Sequence, residues 1–175
     1  MLVAVLFFVP KVTAHASDLR PLSQMSYLQT SEKTSYPNVK KVADLNVLVK
    51  IKRNRVFIRS GNQTIYTMYC SAGKTDPKTS KSYTPTGHFN IQSERGDSFY
   101  NQSLHEGANN WTSFKDHGVY LFHSVPTDAH GSYKAREGDK LGHQPASHGC
   151  IRLSVPDSLW FKDNIPTGTP VTIKE

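Results

Sequence analysis

Short stretches of alternating apolar and polar residues dominate the chain from residue 44 onward. Residues 46–51, 55–59 and 64–70 show this period of two, which is typical of half-buried β-strands, and turn-forming residues separate them. A further apolar and aromatic run over residues 118–124 predicts a buried strand. Similar short segments continue through residue 91, so the pattern predicts a mainly β domain.

The C-terminal part of this domain contains a helix signal. Ser154 is a favoured N-cap residue, Pro156 suits the first turn of a helix, and Leu159, Trp160 and Phe161 follow. Residues 166–169 predict a turn, and residues 171–173 predict a last strand. We therefore expect one short helix near the C-terminus, followed by a strand.

The N-terminal region differs from the rest of the chain. Residues 2–9 are apolar but too few to span a bilayer, and Ala14-His15-Ala16 has the small-x-small pattern of a signal-peptidase site. We therefore expect a signal peptide over residues 1–16, or an uncleaved anchor because a basic n-region is missing, and hence a secreted protein. Residues 17–43 are polar and predict a flexible or weakly helical linker, followed by one domain over residues 44–175.

The segment Ser147-His148-Gly149-Cys150-Ile151-Arg152 carries the strongest chemical signal. It places one of only two cysteines among basic neighbours, which promote loss of the thiol proton. In an extended segment, His148, Cys150 and Arg152 would point to one side while the aliphatic residues anchor the other. Cys150 is therefore a candidate nucleophile.

The candidate base is His123, which ends the predicted strand over residues 118–124. A histidine at a strand terminus, held by packed neighbours and open to a loop, can act as a general base near neutral pH. The polar segment between His123 and Ser147 predicts a surface loop that could form a wall of an active site.

These residues resemble the L,D-transpeptidase catalytic domain family (YkuD-type), bacterial cell-wall enzymes with an upstream His followed by Ser/Thr-His-Gly-Cys. Ala72-Gly73-Lys74, residues 84–89 and Leu141-Gly142 extend the similarity over roughly residues 44 to 174. Two departures are a long gap between His123 and Ser147, and Cys70 at a position where Ser or Ala is commoner. The resemblance implies an L,D-transpeptidase-type β-sandwich.

The resemblance also implies a role for each residue of the motif. Cys150 would attack the carbonyl that precedes the terminal D-residue of a peptidoglycan tetrapeptide stem and form a thioester, and His123 would shuttle the proton. The Ser124 carbonyl would orient the imidazole. The amide N–H groups around Gly149 and Cys150 would be the oxyanion donors. Arg152 would hold the loop or attract a substrate carboxylate. The supporting residues are Ser147, His148, Gly149 and Arg152.

Other interpretations of the same residues stay open at this point. Cys150 could be an inert thiol, His148 could shape the loop, and Arg152 could be a surface charge. A zinc site from His123, His148 and Cys150 lacks the usual ligand spacing, so we expect neither metal nor cofactor. Papain-type peptidases have the opposite order of Cys and His, and sortases have different residues around the cysteine. An L,D-carboxypeptidase with water as acceptor and a silent wall-binding module remain as alternative functions.

The net charge of +7 and the isoelectric point near 9.4 bear on the partners. The basic residues are dispersed, without the grooved arrangement of a nucleic-acid reader, so we expect no nucleic acid. Charge could serve solubility alone, or it could attract anionic polymers of the cell wall. The expected partners are peptidoglycan stem peptides, and we expect a monomer associated with the cell wall. Cys70 is expected to be a small buried strand residue.

Overall fold

The computed structural model describes residues 18–175, so the predicted signal peptide lies outside the described residues. Nine strands in this part of the chain form one sheet: β1 (Leu45–Lys50), β2 (Arg55–Ser60), β3 (Gln63–Ser71), β4 (Gly87–Asn90), β5 (Arg95–Asn101), β6 (Glu106–Lys115), β7 (Tyr120–Ser124), β8 (Ile151–Leu153) and β9 (Pro170–Lys174). Two helices accompany them, α1 (Ala135–Gly138) and α2 (Val155–Asn164), with 3-10 turns at Leu22–Gln24, Val39–Lys41 and Ile51–Arg53.

The strand order is β4-β9-β1-β2-β3-β8-β7-β6-β5. β1 pairs with β9 and β7 pairs with β8 in parallel, whereas the other pairs are antiparallel. Phe89 of β4 lies edge-on to Phe114 of β6 with ring centroids 5.6 Å apart, so strands from the two ends of the sheet meet across the core. The sheet is curled around that core, and the predicted mainly β, sandwich-type fold with a short helix near the C-terminus is confirmed.

Helix α2 forms where the sequence predicts it. The Ser154 hydroxyl caps it by accepting from the Asp157 amide at 3.2 Å, and Pro156 lies in the first turn. Phe161 stacks on Phe122 of β7 with ring centroids 4.4 Å apart. Because β7 carries His123, this contact fixes the strand on which the candidate base stands.

The hairpin of β5 and β6 was not predicted from the sequence. Four of the seven residues of β5 are exposed and none is buried, and its apolar content is too low for a clear alternating pattern. The predicted surface loop over residues 124–146 contains the short helix α1. The predicted turn at residues 52–54 is a 3-10 turn that ends at Asn54 in the left-handed conformation, with φ of +52°.

Residues 18–43 pack against the domain, which differs from the flexible lead-in that their composition predicts. Ser31 and Glu32 are fully buried, and the Ser31 hydroxyl donates to Asp157 at 2.5 Å. The ring of Tyr36 stacks on Trp160 with centroids 4.9 Å apart. Specific buried hydrogen bonds hold this polar segment, and composition does not reveal such pairings. Within residues 18–175, no helix is long and apolar enough to cross a membrane.

Candidate active site

A cavity of about 750 Å³ opens between the end of β7, the start of β8 and the β5–β6 hairpin. Both candidate catalytic residues, His123 and Cys150, line it. The hairpin contributes apolar groups to the wall, including the partly exposed side chains of Tyr100 and Leu104. The supporting residues that also line the cavity are Ser147, His148, Gly149 and Arg152.

The His123 imidazole has a defined orientation. It is only 5% exposed, and its Nδ1 lies 2.6 Å from the Ser124 carbonyl oxygen. A carbonyl can only accept a hydrogen bond, so Nδ1 carries the proton and Nε2 carries the lone pair. Phe99 of the hairpin lies edge-on to the ring with centroids 5.8 Å apart. The ring is therefore held in the tautomer that a general base requires at Nε2.

The imidazole is neutral at physiological pH. Burial, followed by the positive charge of Arg152, lowers the pKa of His123 to about 3, and the bond to the Ser124 carbonyl only partly opposes this. The sequence predicts titration near neutrality, and the structure differs because β7 is deeply buried at this point. The Nε2 lone pair of His123 is therefore unprotonated over the whole neutral range.

Cys150 lies one residue before β8 and is partly buried. Its thiol donates to the Val119 carbonyl oxygen, with 3.6 Å between sulfur and oxygen. Burial raises the pKa of the Cys150 thiol, while the Leu121 backbone and the Arg152 charge only partly offset this. The basic neighbours therefore do not produce a resting thiolate, as their position in the sequence suggested, and the nucleophile needs a base.

The loop that precedes Cys150 is closed by its own hydrogen bonds. The Ser147 hydroxyl donates to the Cys150 carbonyl oxygen at 2.5 Å and accepts from the Gly149 amide at 3.0 Å. Gly149 has a φ of +140°, and a Cβ there would lie 2.9 Å from the Tyr120 ring. Glycine is therefore required by both backbone conformation and space. The Gly149 amide is occupied within the loop, which leaves the Cys150 amide as the better candidate oxyanion donor.

The segments around Gly73 and Thr84 hold this loop from behind. The Lys74 amide donates to the Ser147 carbonyl oxygen at 2.9 Å. The Thr84 hydroxyl donates to the Gly149 carbonyl oxygen at 2.8 Å and accepts from the Gly73 amide at 2.7 Å. Both segments are among those that extend the resemblance beyond the motif around Cys150. Their hydrogen bonds show that they support the loop that precedes Cys150.

Arg152 is buried and paired. Its side chain is 3% exposed, so it is not a surface charge. It donates to Glu106 at 2.9 Å, to Glu137 of α1 at 2.6 Å and to the Ala146 carbonyl oxygen at 3.3 Å. Arg152 thus holds the long loop in place, one of the two roles considered from the sequence.

Three further predictions concern His148, a metal site and Cys70. His148 is exposed on the rim of the cavity. Over residues 18–175, no group of three His, Cys, Asp or Glu side chains has the geometry of a metal site. Cys70 lies fully buried in β3, as predicted, and burial raises the pKa of its thiol to about 12. Of the two cysteines, only Cys150 lines the cavity.

Sequence reasoning missed the groups that come from other segments. The backbone of Val119 and Leu121 contacts the sulfur, and main-chain contacts have no signature in residue type. Glu106 and Glu137 pair with Arg152 across large sequence separations. The only signal in the sequence for these two glutamates is indirect: an arginine, if it is buried, needs acidic partners.

Comparison with known proteins places the chain in a family. The family model of the L,D-transpeptidase catalytic domain (YkuD) matches residues 45–173, which is most of the chain. The chain belongs to the L,D-transpeptidase catalytic domain family. A curated relative, "Putative L,D-transpeptidase YciB" of Bacillus subtilis (strain 168), is 38% identical over 164 residues, which cover 93% of this chain and 82% of that protein.

Solved structures share the fold of this L,D-transpeptidase family member. An L,D-transpeptidase from Mycobacterium smegmatis matches with a TM-score of 0.59 and 21% identity, covering 76% of this chain and 59% of that one. L,D-transpeptidase 3 from Mycobacterium tuberculosis, in complex with a faropenem-derived adduct, matches with a TM-score of 0.53 and 20% identity, covering 75% of this chain and 60% of that one. The chain thus spans about 60% of the length of these solved chains.

Proposed function

We propose that the protein is a cysteine-dependent L,D-transpeptidase that acts on peptidoglycan tetrapeptide stems. The observation that carries this proposal is the pairing, in one cavity, of the Cys150 thiol with a His123 imidazole whose Nε2 lone pair is free of the Ser124 contact. A nucleophile, a base and a group that orients the base are the components of covalent acyl transfer.

In the first step, the thiol turns from the Val119 carbonyl toward His123. Its proton passes to Nε2 as the sulfur attacks the carbonyl carbon between the third stem residue and the terminal D-residue. The carbon–nitrogen bond then breaks, and His123 returns the proton to the leaving amine. Because thiol and imidazole are both neutral at rest, proton transfer accompanies attack and does not precede it.

The negative charge that develops on the carbonyl oxygen needs a donor in the first step. The Cys150 amide supplies it in this proposal, since the Gly149 amide donates to Ser147. One such donor contributes about 3 kcal/mol to transition-state stabilisation. Substrate contacts could free the Gly149 amide only by breaking the bond to Ser147.

In the second step, an amine of another stem or of a protein attacks the thioester. His123 takes a proton from the amine, the new amide bond forms, and the proton returns to the Cys150 sulfur as it leaves. Water in place of the amine would give the L,D-carboxypeptidase reaction. In this proposal, the protein works as a monomer at the cell wall outside the cytoplasm, with stem peptides as its partners. The net charge of +7 supports attraction to anionic polymers of that wall.

A carbapenem tests this proposal because it presents a strained amide carbonyl to the thiol. The L,D-transpeptidase 3 structure from Mycobacterium tuberculosis is in complex with a faropenem-derived adduct. Intact-mass spectrometry should show one added drug mass on the wild type and none on Cys150→Ser. An unmodified wild type under excess drug would argue for the silent wall-binding module.

A further inference from the structure

Five charged side chains form one continuous network beside the cavity. Arg152 of β8 donates to Glu106 at 2.9 Å and to Glu137 at 2.6 Å. Lys134 lies 3.7 Å from Glu106, and Lys140 lies 2.5 Å from Glu137. Glu106 begins the second strand of the β5–β6 hairpin, whereas Glu137 belongs to α1 in the long loop. One guanidinium therefore connects the hairpin, the loop and the strand that follows Cys150.

The network neutralises a charge that would otherwise be costly. Arg152 is 3% exposed, and a buried guanidinium is tolerated only when it is paired. Burial alone would raise the pKa of Glu137, but its contacts with Lys140 and Arg152 hold that pKa below its ordinary value. Lys134 and Lys140 are about one-third exposed and lie at the outer ends of the network. The two carboxylates are thus the inner partners of Arg152.

Arg152 is close enough to both reacting groups to act on them electrostatically. It lies opposite His123 in the parallel pairing of β7 and β8, and it follows Cys150 by two residues. Its positive charge lowers the pKa of both groups. If the charge of Arg152 is neutralised to a different extent, the pKa of the Cys150 thiol will therefore change.

We propose that Glu106 and Glu137 are positioning residues of the acyl-transfer reaction, which hold Arg152 from the hairpin and from the loop and thereby set the field at Cys150. This inference rests on the proposed function, because the electrostatic field of Arg152 matters for catalysis only if Cys150 is the nucleophile of that reaction. The charged and titratable groups around the site come from β5, β6, the long loop, β7, β8 and the rim, and they are Glu106, Lys134, Glu137, Lys140, His123, Arg152, His148, Tyr100 and Tyr120.

The test is the pH dependence of Cys150 alkylation by iodoacetamide, followed by intact mass in a Cys70→Ser background. Glu106→Gln and Glu137→Gln keep side chains of the same size but leave Arg152 less neutralised. The apparent pKa of Cys150 should fall by roughly 0.5 to 1 unit in each, and alkylation at pH 7 should be roughly threefold to tenfold faster. Glu94→Gln, which alters an exposed pair with His117 outside the cavity, should leave the profile unchanged.

A second pair of substitutions should shift the apparent pKa of the Cys150 thiol in the opposite direction. The double variant Lys134→Gln/Lys140→Gln frees negative charge next to Arg152, so the apparent pKa of Cys150 should rise by roughly 0.3 unit or more. These lysines are partly exposed, so this variant decides the question if a Glu variant fails to fold.

An unchanged or higher alkylation pKa in the folded Glu variants, or an unchanged one in the Lys variant, would overturn the proposal. Purely structural Glu residues would change thermal stability without shifting the profile. Alkylation needs no stem peptide, so absence of transpeptidation in the wild type would count against the proposed function and leave this measurement intact.

Discussion

His123 and Arg152 lie opposite each other in the parallel pairing of β7 and β8. The fixed positive charge of Arg152 and the burial of the ring keep the imidazole neutral, with a pKa of about 3. In the proposed function, this neutral ring is the general base that takes the proton of the neutral Cys150 thiol in the same cavity. This arrangement distinguishes the site from a preformed thiolate–imidazolium pair and leads to a specific pH dependence.

We expect the rate of Cys150 acylation in the wild type to show no inflection from His123 between pH 5 and pH 8. The ring already lacks the second proton over this range, because its pKa is lowered to about 3. Single-turnover acylation across this range is the measurement. An inflection near pH 6.5 that His123→Ala removes would contradict this account.

His123→Ala should acylate roughly 10²-fold more slowly than the wild type at pH 7. Without the base, only the thiolate reacts, so the gap should narrow as the pH rises toward the thiol pKa. His148→Ala is the matched control, since His148 is exposed on the rim, and it should remain within a few-fold of the wild type. A folded His123→Ala protein that acylates at the wild-type rate would show that another base operates, and an equal loss in His148→Ala would contradict His123 as the sole base.

The two cysteines should differ sharply in their contribution to turnover. Cys150→Ser should abolish it, whereas Cys70→Ser should leave most of it, because Cys70 is fully buried in β3 outside the cavity lining. Turnover assays are combined with circular dichroism to confirm folding. Comparable losses in two folded variants would contradict a single nucleophile.

Ser31→Ala should lower the free energy of unfolding by about 1–3 kcal/mol. The Ser31 hydroxyl donates to Asp157 at 2.5 Å and accepts from the Tyr69 amide at 2.8 Å, so its loss leaves a buried amide without this acceptor. Ser23→Ala changes an exposed serine of the same segment and serves as the control. Urea denaturation compares the variants. A Ser31→Ala protein as stable as the control would show that this contact does not anchor residues 18–43.

The buried Asp157 should make stability depend on pH in an unusual direction. Burial raises its pKa to about 6, although donors from Ser31 and Tyr36 oppose this. A carboxyl whose pKa is raised on folding stabilises the protein below its unfolded pKa, and this contribution is lost as the pH rises through the folded pKa. Relative to Asp157→Asn, the wild type should lose on the order of 2–3 kcal/mol between pH 4 and pH 7. A difference that stays constant or grows with pH in denaturation experiments would contradict this.

The sequence predicts the elements that follow strong local rules. Period-two alternation identified β1 to β3, and Ser154 with Pro156 located the start of α2. Cys150 and His123 stood out because a short motif and a strand end are local features. Each of these predictions used residues that are neighbours in the chain.

Features that depend on distant partners were not predictable in the same way. The ion pairs of Arg152 with Glu106 and Glu137 join separate segments of the chain. The burial of Ser31 cannot be predicted from the polar composition of its segment. The protonation state of the Cys150 thiol also depends on the fold, because burial raises the thiol pKa that its basic neighbours are expected to lower. Burial is a property of packing, which the residue types around a site do not determine.

The most direct test of the account uses purified tetrapeptide-stem muropeptides, analysed by mass spectrometry after incubation with the wild type and with Cys150→Ser. The wild type should release the terminal D-residue as a free amino acid and form a dimer whose mass equals two stems less one molecule of that amino acid. Cys150→Ser should leave the stems unchanged. Stems that remain intact with the wild type, or the same dimer formed by Cys150→Ser, would contradict a transpeptidase that acts through Cys150.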